Sequence, residues 1–178
     1  MSSVPSPAAS RPWVVAVILC LFLSLAIYYN ISTPVYESPD ELQHAAFVVW
    51  LANEHSLPIV NPEEPGPWKQ EGTQPPLYYL IAAALVGGLP HDGADGLATL
   101  NPYANIGDPQ RPDNKNRVLH DMEQERWPYE TGVLFVHLAR AVSTLMAVGT
   151  LAAVHRLGRI VFPQRAGNRC YRGDSHAG

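Results

Sequence analysis

Apolar residues cluster at two places in this chain and thin out between them. Trp13 to Tyr29 (WVVAVILCLFLSLAIYY) runs without a charge, and a second long apolar run follows near residues 133–154. The first is close to the length that crosses a bilayer as a helix. It is bounded by Trp at one end and paired Tyr at the other, side chains that settle at membrane interfaces. It predicts a transmembrane helix over 13–29. A cleaved signal peptide is the alternative, but the run is long for an h-region and Tyr-Tyr-Asn-Ile-Ser is no small-x-small cleavage site. The second run predicts another transmembrane helix over 131–162, which carries Arg156-Leu-Gly-Arg159 beyond its far end.

Between the two runs the pattern is helical once and ambiguous once. Ser38-Pro39-Asp40-Glu41 has the form of a capping box with proline at the first helical position. Leu42, Ala45, Ala46 and Val49 then recur at helical spacing, so a helix is expected over 39–54 with an apolar stripe. Pro76 to Leu89 (PLYYLIAAALVGGL) is also apolar, but fourteen residues span only about 21 Å of helix. The expectation is an interfacial or re-entrant helix over 76–89. Residues 90–130 are rich in turn formers and aromatic residues, as in an ordered external loop. Residues 1–12 and 163–178 lack apolar periodicity and read as disordered.

Composition agrees with a membrane chain, at 47% hydrophobic and 16% charged. Charge then sets the orientation. All but one of the sixteen acidic residues lie within 31–130, where Lys69, Arg111, Lys115, Arg117 and Arg126 are the cations. The other cations fall mostly at the far ends of the two runs, which puts both termini in the cytoplasm and residues 30–130 outside. The fold class is therefore an all-α integral membrane protein: two transmembrane helices joined by an external region that carries an amphipathic helix and a short interfacial one. Cys20 and Cys170 make neither a disulfide framework nor a zinc site. A net charge of −4 and the lack of a nucleic-acid motif argue against nucleic acid as a partner.

Candidate chemistry gathers at the start of the 39–54 helix. Asp40 and Glu41 fall in its first turn, with His44 three and four residues on, so two carboxylates and an imidazole share one end. Taken alone, such a cluster is more often a solvated helix start. His137 and Arg140 lie in the outer third of the second span, where ionisable residues default to a functional hypothesis.

The order of these pieces resembles a known family. One span, an external Pro39-Asp40-Glu41-x-x-His44 helix, Gln74-Pro75-Pro76-Leu77-Tyr78-Tyr79, then His137-Leu-Ala-Arg140-x-x-Ser143 and Arg156-Leu-Gly-Arg159-x-x-Phe162 is similar to the amino-terminal part of the C-type-fold glycosyltransferases that use polyprenyl-phosphate sugars. These include protein O-mannosyltransferases and aminoarabinose transferases, with related uncharacterised bacterial membrane proteins. The resemblance implies sugar transfer from a lipid-linked donor on the extracytoplasmic face of a bacterial plasma membrane. It implies a catalytic role for Asp40 with Glu41 beside it, substrate binding by His44, Arg140, His137, Lys69 and Tyr78, and a possible divalent metal. Membrane lipids and the lipid-linked sugar donor are the implied partners. Gln74 departs from the His or Lys of many relatives. The family has many more spans than two, so the chain reads as an amino-terminal fragment, inactive alone. The alternative is a small non-catalytic membrane protein whose acidic external loop binds a partner.

Overall fold

A computed structural model describes residues 12–91 and 96–161, and every regular element among them is helical. Four α-helices follow in order: α1 (Pro12–Ser32), α2 (Glu41–Glu54), α3 (Leu77–Val86) and α4 (Thr131–Val161). Short 3-10 turns occupy Lys69–Thr73 and Gly96–Ala98. The expected disorder of residues 1–12 and 163–178 falls outside the described residues except at Pro12, which opens α1.

Helices α1 and α4 are each long and apolar enough to cross a membrane. At 21 residues α1 is about 31 Å long, matching a hydrocarbon layer, and none of its residues is buried within the protein. It runs three residues past the expected end at Tyr29, and the reason is tertiary. The last carbonyls of a helix lack intrahelical partners. Here Arg140 of α4 donates to the carbonyls of Asn30, Thr33 and Pro34, a cation placed where the helix dipole is negative.

Helix α2 starts at Glu41 rather than at Pro39, and the capping box does not form. Asp40 occupies the cap position in a left-handed conformation (φ 58°) with no side-chain cap bond. Glu41 instead accepts a hydrogen bond from the Tyr36 N–H at 2.9 Å and faces Arg140, which draws its carboxylate away from Ser38. Helix α3 begins directly after Pro75-Pro76 and is ten residues long, about 15 Å, which is too short to cross a bilayer. It ends at Gly87, where a Cβ would lie 2.5 Å from the Ala52 Cβ of α2, so glycine permits the close approach of the two helices.

The core lies at one end of the long helices. Helices α2 and α3 and the first three turns of α4 meet there around Phe47, Val48, Tyr79, Ala82, Phe135 and Val136. Phe47 and Tyr79 stack with ring centroids 3.9 Å apart. Residues 96–130 carry little regular structure yet are tied in at defined points. Leu100 and Val118 form an antiparallel bridge, and Val118 is buried. His120 is clasped between two carboxylates, with Nε2 2.9 Å from Glu37 and Nδ1 2.6 Å from Glu125. Glu37 also accepts the N–H groups of Arg117 and Val118, so the loop is fastened to the segment that follows α1.

Candidate functional site

Four of the seven expected site residues come together. Glu41, His44, Tyr78 and Arg140 line one cleft of about 350 Å³ between α2, α3 and α4. Ser38 and Ser143 add hydroxyls to its wall, and Ala45, Val48, Val136 and Ala139 make it apolar on one side. Asp40 does not line this cleft, although it stands in the chain between the lining residues Pro39 and Glu41; His137 packs against α1 and Lys69 stands exposed on the 3-10 turn, both also outside it.

Arg140 is the most heavily engaged of these side chains. Its Nε and one Nη2 hydrogen go to the two oxygens of Glu41, the latter at 2.7 Å. Its Nη1 donates to the carbonyls of Asn30 (3.0 Å) and Thr33 (2.7 Å), and the remaining Nη2 hydrogen goes to Pro34 (2.9 Å). A guanidinium has five N–H donors, and all five are taken. A phosphate could bind Arg140 only by displacing Glu41 or a backbone carbonyl. Glu41 is equally committed, since it accepts from Arg140 twice and from Tyr36 once. Bidentate pairing of this kind makes the two residues a structural clamp joining α1, α2 and α4.

Asp40 differs from its neighbour. Its carboxylate has no hydrogen-bond or ion-pair partner among the described residues, and its backbone carbonyl accepts from His44 N–H at 2.9 Å. Two left-handed residues, Tyr36 and Asp40, bracket this turn. Non-glycine residues reach such conformations at some cost in strain, and here the two glutamates of the turn, Glu37 and Glu41, fasten it to the loop and to α4.

His44 sits at the cleft with its Nδ1 2.7 Å from the Tyr79 hydroxyl and 3.6 Å from Glu71. Glu71, on the Lys69–Thr73 turn, is only 5% exposed, and sequence spacing gave no sign of it: it stands in a polar, proline-rich stretch 27 residues beyond His44. Burial, then the negative charge of Glu71, then Tyr78 push the Tyr79 phenol up to about 12, so it stays protonated. Tyr78 presents its hydroxyl to Ser143, which donates to it at 3.0 Å.

His137 is buried. It bonds the Asn30 side chain through Nδ1 at 2.8 Å, the Asn30 amide donates back to the His137 carbonyl, and Tyr129 stacks on the ring at 3.9 Å. These contacts lock α1 to α4. As for a metal, no group of three His, Cys, Asp or Glu side chains converges to hold one among the described residues. Even the cluster at His120 spends both ring nitrogens on carboxylates.

The architecture and cleft thus define an all-helical chain with two candidate membrane-spanning helices and a folded cap at one end of them. No family model matches this chain, and neither a curated protein nor a solved structure matches it.

Proposed function

We propose that the chain is a membrane-embedded unit of a glycosyltransferase that receives a polyprenyl-phosphate sugar on the extracytoplasmic face of a bacterial plasma membrane. The observation that carries this reading is the cleft between α2, α3 and α4. It opens where the end of α1 meets the first turns of α4, and a lipid tail lying along α4 would bring its phosphate and sugar to that opening. The placement of Arg156 and Arg159 at the opposite end of α4 from the cap supports cytoplasmic termini.

Asp40, with its carboxylate unpaired, is the residue to orient or deprotonate an acceptor hydroxyl. Glu41 and Arg140 hold the cleft open by clamping each other, and His137 positions α4 against α1. Tyr78 and His44 face the bound donor. The membrane protein should be labelled in the cleft by a photo-reactive polyprenyl-phosphate hexose, in competition with unlabelled donor. Carried into a full-length transferase of the resembled family, the Asp40→Asn change should lower transfer from the lipid-linked sugar roughly a hundredfold or more. Label spread evenly along α1, or turnover unchanged in the variant, would refute the reading.

A second reading, a non-catalytic membrane protein whose external loop binds a partner, is favoured by the exposed acids Asp113, Glu123 and Glu130. It predicts no competed labelling of the cleft.

A further inference from the structure

We infer that His44 is the cation this cleft offers to a phosphate group, with the buried carboxylate of Glu71 and the hydroxyl of Tyr79 as its positioning residues; the choice of ligand rests on the function proposed above. Elimination is the first step. Arg140 has no spare donor, and Lys69 does not line the cleft. Of the two nitrogen bases in the lining, Arg140 and His44, only His44 can still donate. Nδ1 is held by Tyr79, while Nε2 has no partner among the described residues, on a ring that is 39% exposed.

Glu71 is the second, independent observation. Its side chain is 6% exposed and accepts no hydrogen bond from the described residues, and the imidazole of His44 pairs with it through Nδ1 at 3.6 Å. An ionised carboxylate so placed is costly unless a positive charge stands next to it. A proton on His44 supplies that charge. The imidazolium then donates through Nδ1 to the Tyr79 oxygen and turns its second N–H, on Nε2, toward an anion. Ser38 offers a hydroxyl on the same wall, and Tyr78, which accepts from Ser143, keeps its own hydrogen to donate. The groups that face this imidazole are Glu71 from the 3-10 turn, Tyr78 and Tyr79 from α3, Glu41 from α2 and Arg140 from α4. The last two neutralise each other, so Glu71 sets the balance.

The test is equilibrium binding to the intact chain in zwitterionic nanodiscs, with farnesyl phosphate, farnesol and inorganic phosphate as probes. Farnesyl phosphate should bind. His44→Gln should weaken it roughly tenfold to a hundredfold, the range of a charge-assisted hydrogen bond. Glu71→Gln should weaken binding and shift the nitrogen resonances of His44 in NMR spectra, with Glu71→Asp restoring part of both. Tyr79→Phe, which keeps the ring stack with Phe47, covers the case in which a Glu71 variant fails to fold. Inorganic phosphate displacing farnesyl phosphate at similar concentration would assign the site to free phosphate, and its failure to do so would assign the site to a lipid phosphate. Farnesol binding as tightly as farnesyl phosphate, or unchanged binding in His44→Gln, overturns the inference. Phosphate binding through His44, together with unchanged sugar transfer when Asp40→Asn is carried into a full-length relative, would leave this site standing and remove the proposed transferase. Transfer that persists with unchanged KM in His44→Gln would do the reverse.

Discussion

Replacing Arg140 with alanine should be among the most damaging single changes in the folded cap. The Arg140 and Glu41 side chains are each 13% exposed, and the arginine also serves three backbone carbonyls. Removing it strands a mostly buried carboxylate and uncaps α1, and breaking a buried ion pair from one side costs about 3 to 5 kcal/mol. With a urea slope of roughly 2 kcal/mol per molar, that is a midpoint shift of about 1.5 to 2.5 M. The protein in detergent micelles carries its own reporter, because Trp68 is buried and meets Trp50 edge to face at 4.6 Å. Denaturant unfolding followed by tryptophan fluorescence would read the loss. The informative control is Arg140→Met with Glu41→Gln, which removes both charges and should unfold later than Arg140→Ala alone. A loss below about 1 kcal/mol for the single variant, the worth of a solvated surface pair, would refute the clamp. So would a double variant whose loss is the simple sum of the single ones.

Other consequences follow from the same packing. Burial alone would lower the His120 proton affinity, but its hydrogen bonds to Glu37 and Glu125 raise it above the ordinary 6.5, while Glu37, despite burial, is held below its ordinary 4.5 by the N–H groups of Arg117 and Val118 and by His120. The clasp's stabilisation is therefore full between 4.5 and 6.5. It fades as pH rises through the raised His120 value and as pH falls through the lowered Glu37 value. Urea midpoints measured across pH should show this dome, and His120→Gln should remove its alkaline slope. Spectrophotometric titration should find one tyrosine ionising near 12, absent in Tyr79→Phe; a normal titration in wild type would contradict the burial of that hydroxyl. Gly87→Val should force α2 and α3 apart at Ala52, at a cost of about 1 to 3 kcal/mol by overpacking, and an unchanged urea midpoint would show that the helices yield freely.

Much of the helical framework was legible because local patterns carry it. The uncharged run at Trp13, the stripe from Leu42 to Val49 and the long apolar run after Thr131 each announce an element without reference to anything distant. What spacing could not convey is pairing across the chain. Arg140 looked like a free cation at a membrane surface because its partner, Glu41, lies 99 residues earlier. The same pairing explains why the capping box at Ser38 fails: a local signal worth about 1 kcal/mol loses to a buried bidentate ion pair. His137, a candidate for substrate binding, is bound to Asn30, which lies one residue beyond the expected span and 107 residues earlier in the chain. Glu71 had no local signal at all, since its significance depends on His44 and Tyr79 converging on it from two other elements.

The polar fastenings between α1 and α4 all fall at one end, from Asn30 and Thr33 to His137 and Arg140. Toward Trp13 and Arg159 the two rods carry apolar surface instead, with Leu21, Leu25, Val154 and Ile160 each more than half exposed. A pair riveted at its top and greasy along its shafts can splay like shears without breaking any hydrogen bond. The wedge between the blades is then open to acyl chains or to additional helices, while the geometry of the cap above stays fixed.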